Sequence, residues 1–392
     1  MPVQSAKYGA VVVGLGAMGA AALYQLAQRG VRAIGIDRFD PPHDQGSSHG
    51  ETRITRLGVG EGPDFAPFAI RSHEIWRDFE AKTGESLMVN CGCVVIGQEQ
   101  DEGDRNKPRF FGRSREVAER FGIEHAMLDR AALNARFPQF TGLDAHDAAY
   151  YEPGAGFVYP EACIRVQLDA AEREGATILR NTAVTGIVQG NNWVRIETAT
   201  GAIEAEYAVV AAGAWVAKLL GAPFDRLLRP TRQVLHWFEA DEPGLYTPEK
   251  CPTYIRHYAH GGGHVYGFPT PHGAIGVKIA EERRTAWTDP DARRLGSTGE
   301  EIATFHAQFV AGKFAGVSPR LTAVKTCMYT EAPGVNFLID QHPDMDRVTV
   351  ISACSGHGFK HSAGIGDAVA ERIADPRAGR FDLRPFGLAR FG

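Results

Sequence analysis

What this chain lacks narrows its function sooner than what it contains. No apolar run reaches the roughly 18 residues that a membrane-crossing helix needs. The start of the chain lacks the charged region and cleavage site of a secretory signal, because its first apolar run, Tyr8 to Val13, leads straight into glycines. A cytoplasmic protein with no membrane partner is expected. Long Lys/Arg runs are missing and the formal charge is only −5, so nothing supplies the attraction that nucleic acid or an anionic membrane requires. Cysteine is sparse: Cys91, Cys93, Cys163, Cys251, Cys327 and Cys354 follow no disulfide spacing, and a reducing cytosol disfavours bridges. Cys91-Gly92-Cys93 has one intervening residue where zinc knuckles have two or more, and no second Cys/His pair follows. It reads as two neighbouring strand cysteines, and no metal is expected. Internal repeats and low-complexity tracts are also absent. What remains is an ordinary globular composition, 44% hydrophobic and 23% charged, in 392 residues, enough for two domains and a small-molecule ligand.

The order of elements points to an α/β fold. Gly9 to Val13 reads as a buried strand, Ala17 to Arg29 places Met18, Ala22 and Leu26 at helical spacing before a Gly30 cap, and Ala33 to Asp37 reads as a second strand. Strand, glycine turn, helix and strand in about 30 residues make a βαβ unit, which requires a parallel sheet. A glycine-rich loop, Gly46 to Gly50, then precedes helical spacing from Phe65 to Phe79, and Asp101 to Arg115 is charged and irregular. A second α/β pattern runs from Pro160 to the apolar strand Tyr207 to Ala212, whereas Arg229 to Val277 shows short strands with Pro/Gly turns, as in an antiparallel sheet. Val348 to Ile351 and Ile365 to Ile373 return to the first pattern. The expected architecture is a discontinuous Rossmann-like domain of residues 1–85, 150–222 and 322–392. A substrate domain of residues 86–149 and 223–321, built on a largely antiparallel sheet, completes it.

Gly14-Leu15-Gly16-Ala17-Met18-Gly19 has the form of a dinucleotide fingerprint. The first glycine makes the tight turn, the second admits a pyrophosphate to the backbone, and the third lets helix and strand pack closely. The helix N-terminus offers amides and partial positive charge to that anion. Asp37 ends the following strand, where a carboxylate meets a ribose diol. FAD and NAD share this pattern, so the motif does not choose between them. Val209 to Trp215, an apolar strand running into the small-residue turn Ala212-Gly213-Ala214, brings a sheet edge close to a bound cofactor or is a plain strand end.

Five further segments carry a family likeness. Asp37-Arg38-Phe39-Asp40-Pro41-Pro42-His43, Gly50-Glu51-Thr52-Arg53-Ile54-Thr55-Arg56, Tyr266-Gly267-Phe268-Pro269, Lys325-Thr326-Cys327-Met328-Tyr329-Thr330 and Ser355-Gly356-His357-Gly358-Phe359-Lys360 occur in one order along the chain. In these segments, and over essentially its whole length, the chain resembles the monomeric sarcosine oxidase and N-methyltryptophan oxidase group of covalent flavoproteins. The resemblance implies FAD bound covalently through Cys327, which read by itself is one buried cysteine among six. It implies that Arg56 and Lys360 hold the substrate carboxylate, the guanidinium bonding both oxygens and the ammonium adding a point charge. Lys278 falls at the oxygen-activating lysine, a fixed cation beside charge developing on oxygen. Arg53 joins it electrostatically, and His49 contacts the flavin ring. Tyr266 and Tyr329 match tyrosines flanking the substrate amine, or are half-buried strand residues. The cofactor contacts implied are Gly14, Gly16, Ala17, Met18, Gly19, Asp37, Arg38, Ser47, Ser48, His49, Thr52, Arg53, Val184, Ala212, Gly213, Trp215, Cys327, Met328, Gly356, Gly358, Phe359 and Lys360.

One position departs from the family. Four residues beyond Lys278, where a histidine is usual, stands Glu282. A carboxylate repels a substrate carboxylate and attracts a cation, which argues against sarcosine as the preferred substrate, unless Glu281-Glu282-Arg283-Arg284 is simply a solvated loop. The expected activity is an FAD-dependent oxidase acting on the CH–NH group of a secondary, N-methyl or N-alkyl amino acid with oxygen as acceptor. The products are an aldehyde or keto acid, an amine and hydrogen peroxide, and the enzyme is expected to be a monomer. A flavin dehydrogenase passing electrons to a quinone or carrier protein, and a non-catalytic flavin-bearing ligand sensor, are the rival readings.

Overall fold

The Tyr8–Val13 strand is apolar on both faces because both are covered, and its burial dictates what surrounds it. The computed structural model describes residues 8–98, 110–258 and 263–391. In it, Tyr8–Val13 pairs in parallel with Ala33–Ile36 on one side and Gly201–Val210 on the other. Thr177–Leu179 and Met345–Ser352 extend the parallel set, while Val184–Gln189, Val194–Thr198 and Leu338–His342 add antiparallel edges, giving eight strands. The Ala17–Gln28 helix ends where expected, with Gly30 at φ +74° donating to the Ala27 carbonyl. It packs against the Ser362–Ala374 and Pro160–Arg173 helices. A Cβ on Gly366 would stand 2.5 Å from the Ala21 Cβ, so the first of those contacts needs glycine.

The expected antiparallel region forms a second sheet of eight strands. Its order is Val317–Glu331, Arg229–Ala240, Val277–Glu281, His264–Phe268, Thr253–His257, Cys93–Gly97, Ala148–Glu152 and Ala126–Leu128. Residues 322–331 and 150–152, grouped by sequence with the nucleotide segments, run in this sheet. A small third sheet of Arg53–Thr55, Gly156–Val158 and Met88–Val89 lies between the two in the chain's path.

Two helices differ from their sequence reading. The one expected over Phe65 to Phe79 spans Ala66–Thr83, because its polar last turn continues until Gly84 takes φ +71° and caps it. The stretch from Asp101 to Arg115 falls partly outside the described residues at 101–109, and from Phe110 it is helix, Phe110–Phe121. Phe110, Phe111, Ser114, Val117 and Ala118 form its buried face. Among the described helices none is long and apolar enough to cross a membrane.

Candidate active site

A single cavity of about 450 Å³ runs from the first glycine turn to the second sheet. At the first end Gly14 takes φ +87°, and a Cβ there would stand 2.7 Å from the Ala211 carbonyl. On Gly19 a Cβ would stand 1.7 Å from the Gly14 carbonyl, so this glycine serves helix-to-turn packing and does not line the cavity. Gly16 is the helix N-cap and makes no side-chain cap bond, leaving the first-turn amides to the cavity that Gly14, Gly16, Ala17 and Met18 line. Asp37 accepts from the Leu15 amide at 2.7 Å and the Phe39 amide at 2.8 Å. A carboxylate has about four lone-pair sites, so capacity for a diol remains.

Arg38, Val184, Ala212, Gly213 and Trp215 line the same end. Asp291, which the sequence reading missed, accepts from Arg38 at 2.6 Å and from Trp215 Nε1 at 2.8 Å. Lys218 also reaches it, at 2.7 Å. Those bonds hold its carboxyl well below the usual carboxylate range, so it stays charged at any working pH.

At the far end Ser47, Ser48, Arg53, Tyr266, Tyr329, Gly356, Gly358, Phe359 and Lys360 line the cavity, whereas His49, Thr52, Lys278, Cys327 and Met328 lie behind its wall. Lys278 is 2% exposed, and its ammonium donates to the Gly50 and Thr52 carbonyls at 2.6 and 2.9 Å and to Thr52 Oγ1 at 3.1 Å. Three acceptors suit the three donors of a charged amine. Burial, with Arg53 adding, pushes its pKa well below the usual lysine value. Arg53 itself donates to the Thr52 and Ser47 carbonyls. His49 is buried with both ring nitrogens lacking a hydrogen-bond partner, and burial lowers its pKa to about 4. Tyr266 and Tyr329 share a hydroxyl–hydroxyl hydrogen bond of 2.8 Å, and burial raises both pKa values. The Cys327 thiol is buried and its pKa raised by that burial, against the opposing charges of Arg53, Lys278 and Arg293. Cys354, to which the sequence assigns no role, lines the cavity beside it.

Arg56 and Lys360 converge, although 304 positions apart, through a residue the sequence reading missed. Glu61 lies 3.3 Å from Arg56 Nη2, 3.3 Å from Lys360 Nζ and 3.6 Å from His357 Nδ1, and its side chain is 5% exposed. Its signal was faint: an acid between glycines, Gly60-Glu61-Gly62, just after the Arg56 motif. Arg56 also donates to the Gly58 carbonyl and lies 4.9 Å from the Phe110 ring centroid. Glu282 is not in a solvated loop: its side chain is 7% exposed, pairs with Arg284 and lies 3.3 Å from His264 Nε2. It lines the cavity with Phe110, Ile255, His257 and His264.

A flavin dinucleotide fits these residues. Gly16 and Gly213 leave open space where side chains would stand, and the first helix offers uncommitted amides. Among the described residues no group of three or more His, Cys, Asp or Glu is arranged to hold a metal ion.

Comparison with known proteins agrees. The profile of the family described as FAD dependent oxidoreductase (DAO) matches residues 10–372. The chain is 35% identical over 370 residues to the monomeric sarcosine oxidase of Bacillus sp. (strain B-0618), covering 94% of this chain and 92% of that one. It is 31% identical over 397 residues to the N-methyl-L-tryptophan oxidase of Yersinia pestis (strain Pestoides F), covering 98% and 99%. Among solved structures, the open form of NikD, an amino acid oxidase essential for nikkomycin biosynthesis, superposes with a TM-score of 0.81 at 19% identity, covering 97% of each chain.

Proposed function

Since the chain belongs to the FAD-dependent oxidoreductase family, we propose that it is a flavin oxidase of N-methyl or N-alkyl amino acids, working as a cytoplasmic monomer. The observation that carries this reading is the convergence of two buried cations, Arg56 and Lys360, on one carboxylate in the cavity that also holds the Tyr266–Tyr329 pair and the dinucleotide turn. Bound FAD would supply a hydride acceptor for the amine's C–H and the electron pair that reduces oxygen to peroxide, and water would hydrolyse the iminium product to an aldehyde or keto acid plus the shortened amine.

The chain's own residues do the rest. An amino-acid carboxylate entering this partly dry cavity loses several kcal/mol of solvation, which a guanidinium fork and an ammonium offset. Glu61 meets one arm of that guanidinium, Nη2, together with the Lys360 ammonium, and is the carboxylate the substrate replaces. The tyrosine hydroxyls, kept neutral by burial, flank the amine nitrogen and donate or accept there without carrying charge. Lys278 places positive charge behind the loop Gly50–Arg53 and Arg53 places it within that loop, a pair of cations that would stabilise the negative charge oxygen gains on reduction.

Three measurements test this assignment. Anaerobic mixing with N-methyl amino acids bleaches the flavin, and a colour that never bleaches sinks the activity. Only the free amine gives hydride, so the rate of reduction rises with pH through the substrate ammonium's ionisation, whereas a flat profile from neutral to alkaline pH contradicts that step. Covalent attachment through Cys327 predicts that acid-precipitated protein stays yellow and that Cys327→Ser releases the colour. Cys354→Ser keeps it. The reverse pattern would move the bond to Cys354.

A further inference from the structure

The turn that supplies all three acceptors of Lys278 is strained. Gly50 takes φ +99° and Glu51 φ +72°, and the second is the unusual one, because an L side chain rarely adopts it. The Thr52 amide donates to the Gly50 carbonyl at 2.8 Å, two residues back, which with the positive φ at Glu51 makes the uncommon form of γ-turn. Such strain persists only where the surroundings over-determine the backbone. Three separate elements do so here. Trp237 Nε1, on the Arg229–Ala240 strand, donates to the Glu51 carboxylate at 3.1 Å. Lys278, on the Val277–Glu281 strand, donates to the Gly50 and Thr52 carbonyls. Glu161, in the first turn of the Pro160–Arg173 helix, accepts through one oxygen from the Gly50 amide at 2.7 Å and the Glu51 amide at 3.3 Å.

Glu161 and Lys278 thereby hold one peptide group from opposite ends. The Gly50 carbonyl and the Glu51 amide belong to that group, with the ammonium on its oxygen and the carboxylate on its N–H. Turning the peptide over would aim the N–H at the cation and the carbonyl at the anion, so the two charges fix its dipole in one orientation. They also act on each other. Lys278 is faced by Arg53 and Glu51 from the turn, Cys327 from the Val317–Glu331 strand and Glu161 from the helix, with the Trp237 and Phe268 ring centroids 5.2 and 4.4 Å from its nitrogen. Burial first, and then Arg53, lower its pKa, while Cys327, Glu161 and Glu51 raise it. The Cys327 thiol has its own pKa raised by burial and is neutral at working pH, so the carboxylates carry that support.

We propose that Glu161 is a positioning residue for the oxygen half-reaction: by locking the strained turn at Glu51 it keeps the Gly50 and Thr52 carbonyls on the Lys278 ammonium and so fixes where that cation stands. The inference goes beyond the amine-oxidase reading above and rests on its assignment of Lys278 to oxygen. Neither Glu161 nor Lys278 lines the cavity, so the substrate touches neither.

The test measures the two half-reactions of the holoenzyme separately by stopped flow. Glu161→Ala should slow reoxidation by oxygen about 10-fold, the low end for losing hydrogen bonds to a charged group, and change reduction by an N-methyl amino acid far less. Glu161→Gln keeps the accepting oxygen and loses only the charge, so its loss of rate should be smaller. In that variant the alkaline fall in oxygen reactivity should move to lower pH, because a lysine deprived of a nearby anion gives up its proton sooner. A role in folding alone would not move that pH. His49, next to the turn and also faced by Glu161, has its pKa pushed down to about 4 and stays neutral throughout. Glu161→Ala added to Lys278→Met should cost nothing further in reoxidation, since the cation to be positioned is already gone. Hydrogen exchange in the resting holoenzyme gives a readout independent of turnover: the Gly50, Glu51 and Thr52 amides should exchange faster in Glu161→Ala. If that variant fails to fold, Glu161→Gln carries both the pH profile and the combination with Lys278→Met. Equal slowing of the two half-reactions, an alkaline fall that stays in place in Glu161→Gln, unchanged exchange at the turn, or losses that multiply in the double variant overturns the proposal. Lys278→Met slowing both half-reactions alike instead rejects the oxygen role of the lysine and this proposal with it, an outcome told apart because no change at Glu161 is involved.

Discussion

Lys278→Met will slow reoxidation of the reduced enzyme by oxygen by about 100- to 1000-fold, the cost of removing one preorganised charge from a developing anion in a dry site. Reduction by substrate will change far less, because Lys278 lies behind the wall that the substrate touches. Methionine matches the lysine stem in length, and what disappears is the ammonium, with its bonds to Gly50 and Thr52 and its place over the Trp237 and Phe268 rings. Stopped-flow mixing of the reduced variant with oxygen measures the first rate, and anaerobic mixing with substrate the second. Equal losses in both would remove Lys278 from the oxygen step and leave it a structural tie for the loop. The pH dependence gives an independent check with a fixed sign. Burial and Arg53 press the Lys278 pKa well below the usual lysine value. The cation is therefore present at low pH and lost as pH rises through that lowered value, so oxygen reactivity should fall on the alkaline side while substrate reduction is still rising. In Lys278→Met the alkaline fall should vanish.

How far such a site can be read from sequence depends on whether its parts are joined by the chain or by strand register. Gly14, Gly16, Gly19 and Asp37 are legible because turn, helix start and strand end follow one another along the chain. Arg56 and Lys360 are legible only as pieces of motifs, since nothing local in either segment says that they meet. Glu61, which joins them, and Asp291, which ties Arg38, Trp215 and Lys218 together, were not seen, because an isolated acid in a loop has no periodicity to betray its partner. Glu282 was noticed but its surroundings were not. Two acids followed by two bases look solvated in sequence, and only the pairing of Val277–Glu281 with His264–Phe268 turns Glu282 towards the cavity. The Phe110–Phe121 helix had its apolar spacing in plain view, but the charged residues before it made the whole stretch look irregular.

Arg56→Met should lower kcat/KM for an N-methyl amino acid by about 100- to 1000-fold, in line with the few kcal/mol that breaking a buried ion pair costs. The loss belongs mostly in KM, because the carboxylate is gripped equally before and during hydride transfer. Arg56→Lys should recover only part of it, since an ammonium cannot bond both carboxylate oxygens. Arg56 also braces the Gly58 carbonyl and the Phe110 ring, so a fall in rate alone does not separate gripping from folding. The separating quantity is the preference for an N-methyl amino acid over its carboxamide. That preference should be large in the unaltered enzyme and small in Arg56→Met, and an unchanged preference would take the substrate carboxylate away from this residue. Glu61→Gln should act in the opposite direction. It removes the internal carboxylate that Arg56 and Lys360 already hold, so the substrate no longer competes with a fixed charge for the same two cations and KM should fall. Opposite signs from two buried residues 3.3 Å apart are what a shared anion seat requires, whereas a merely structural pair would lose activity from either change.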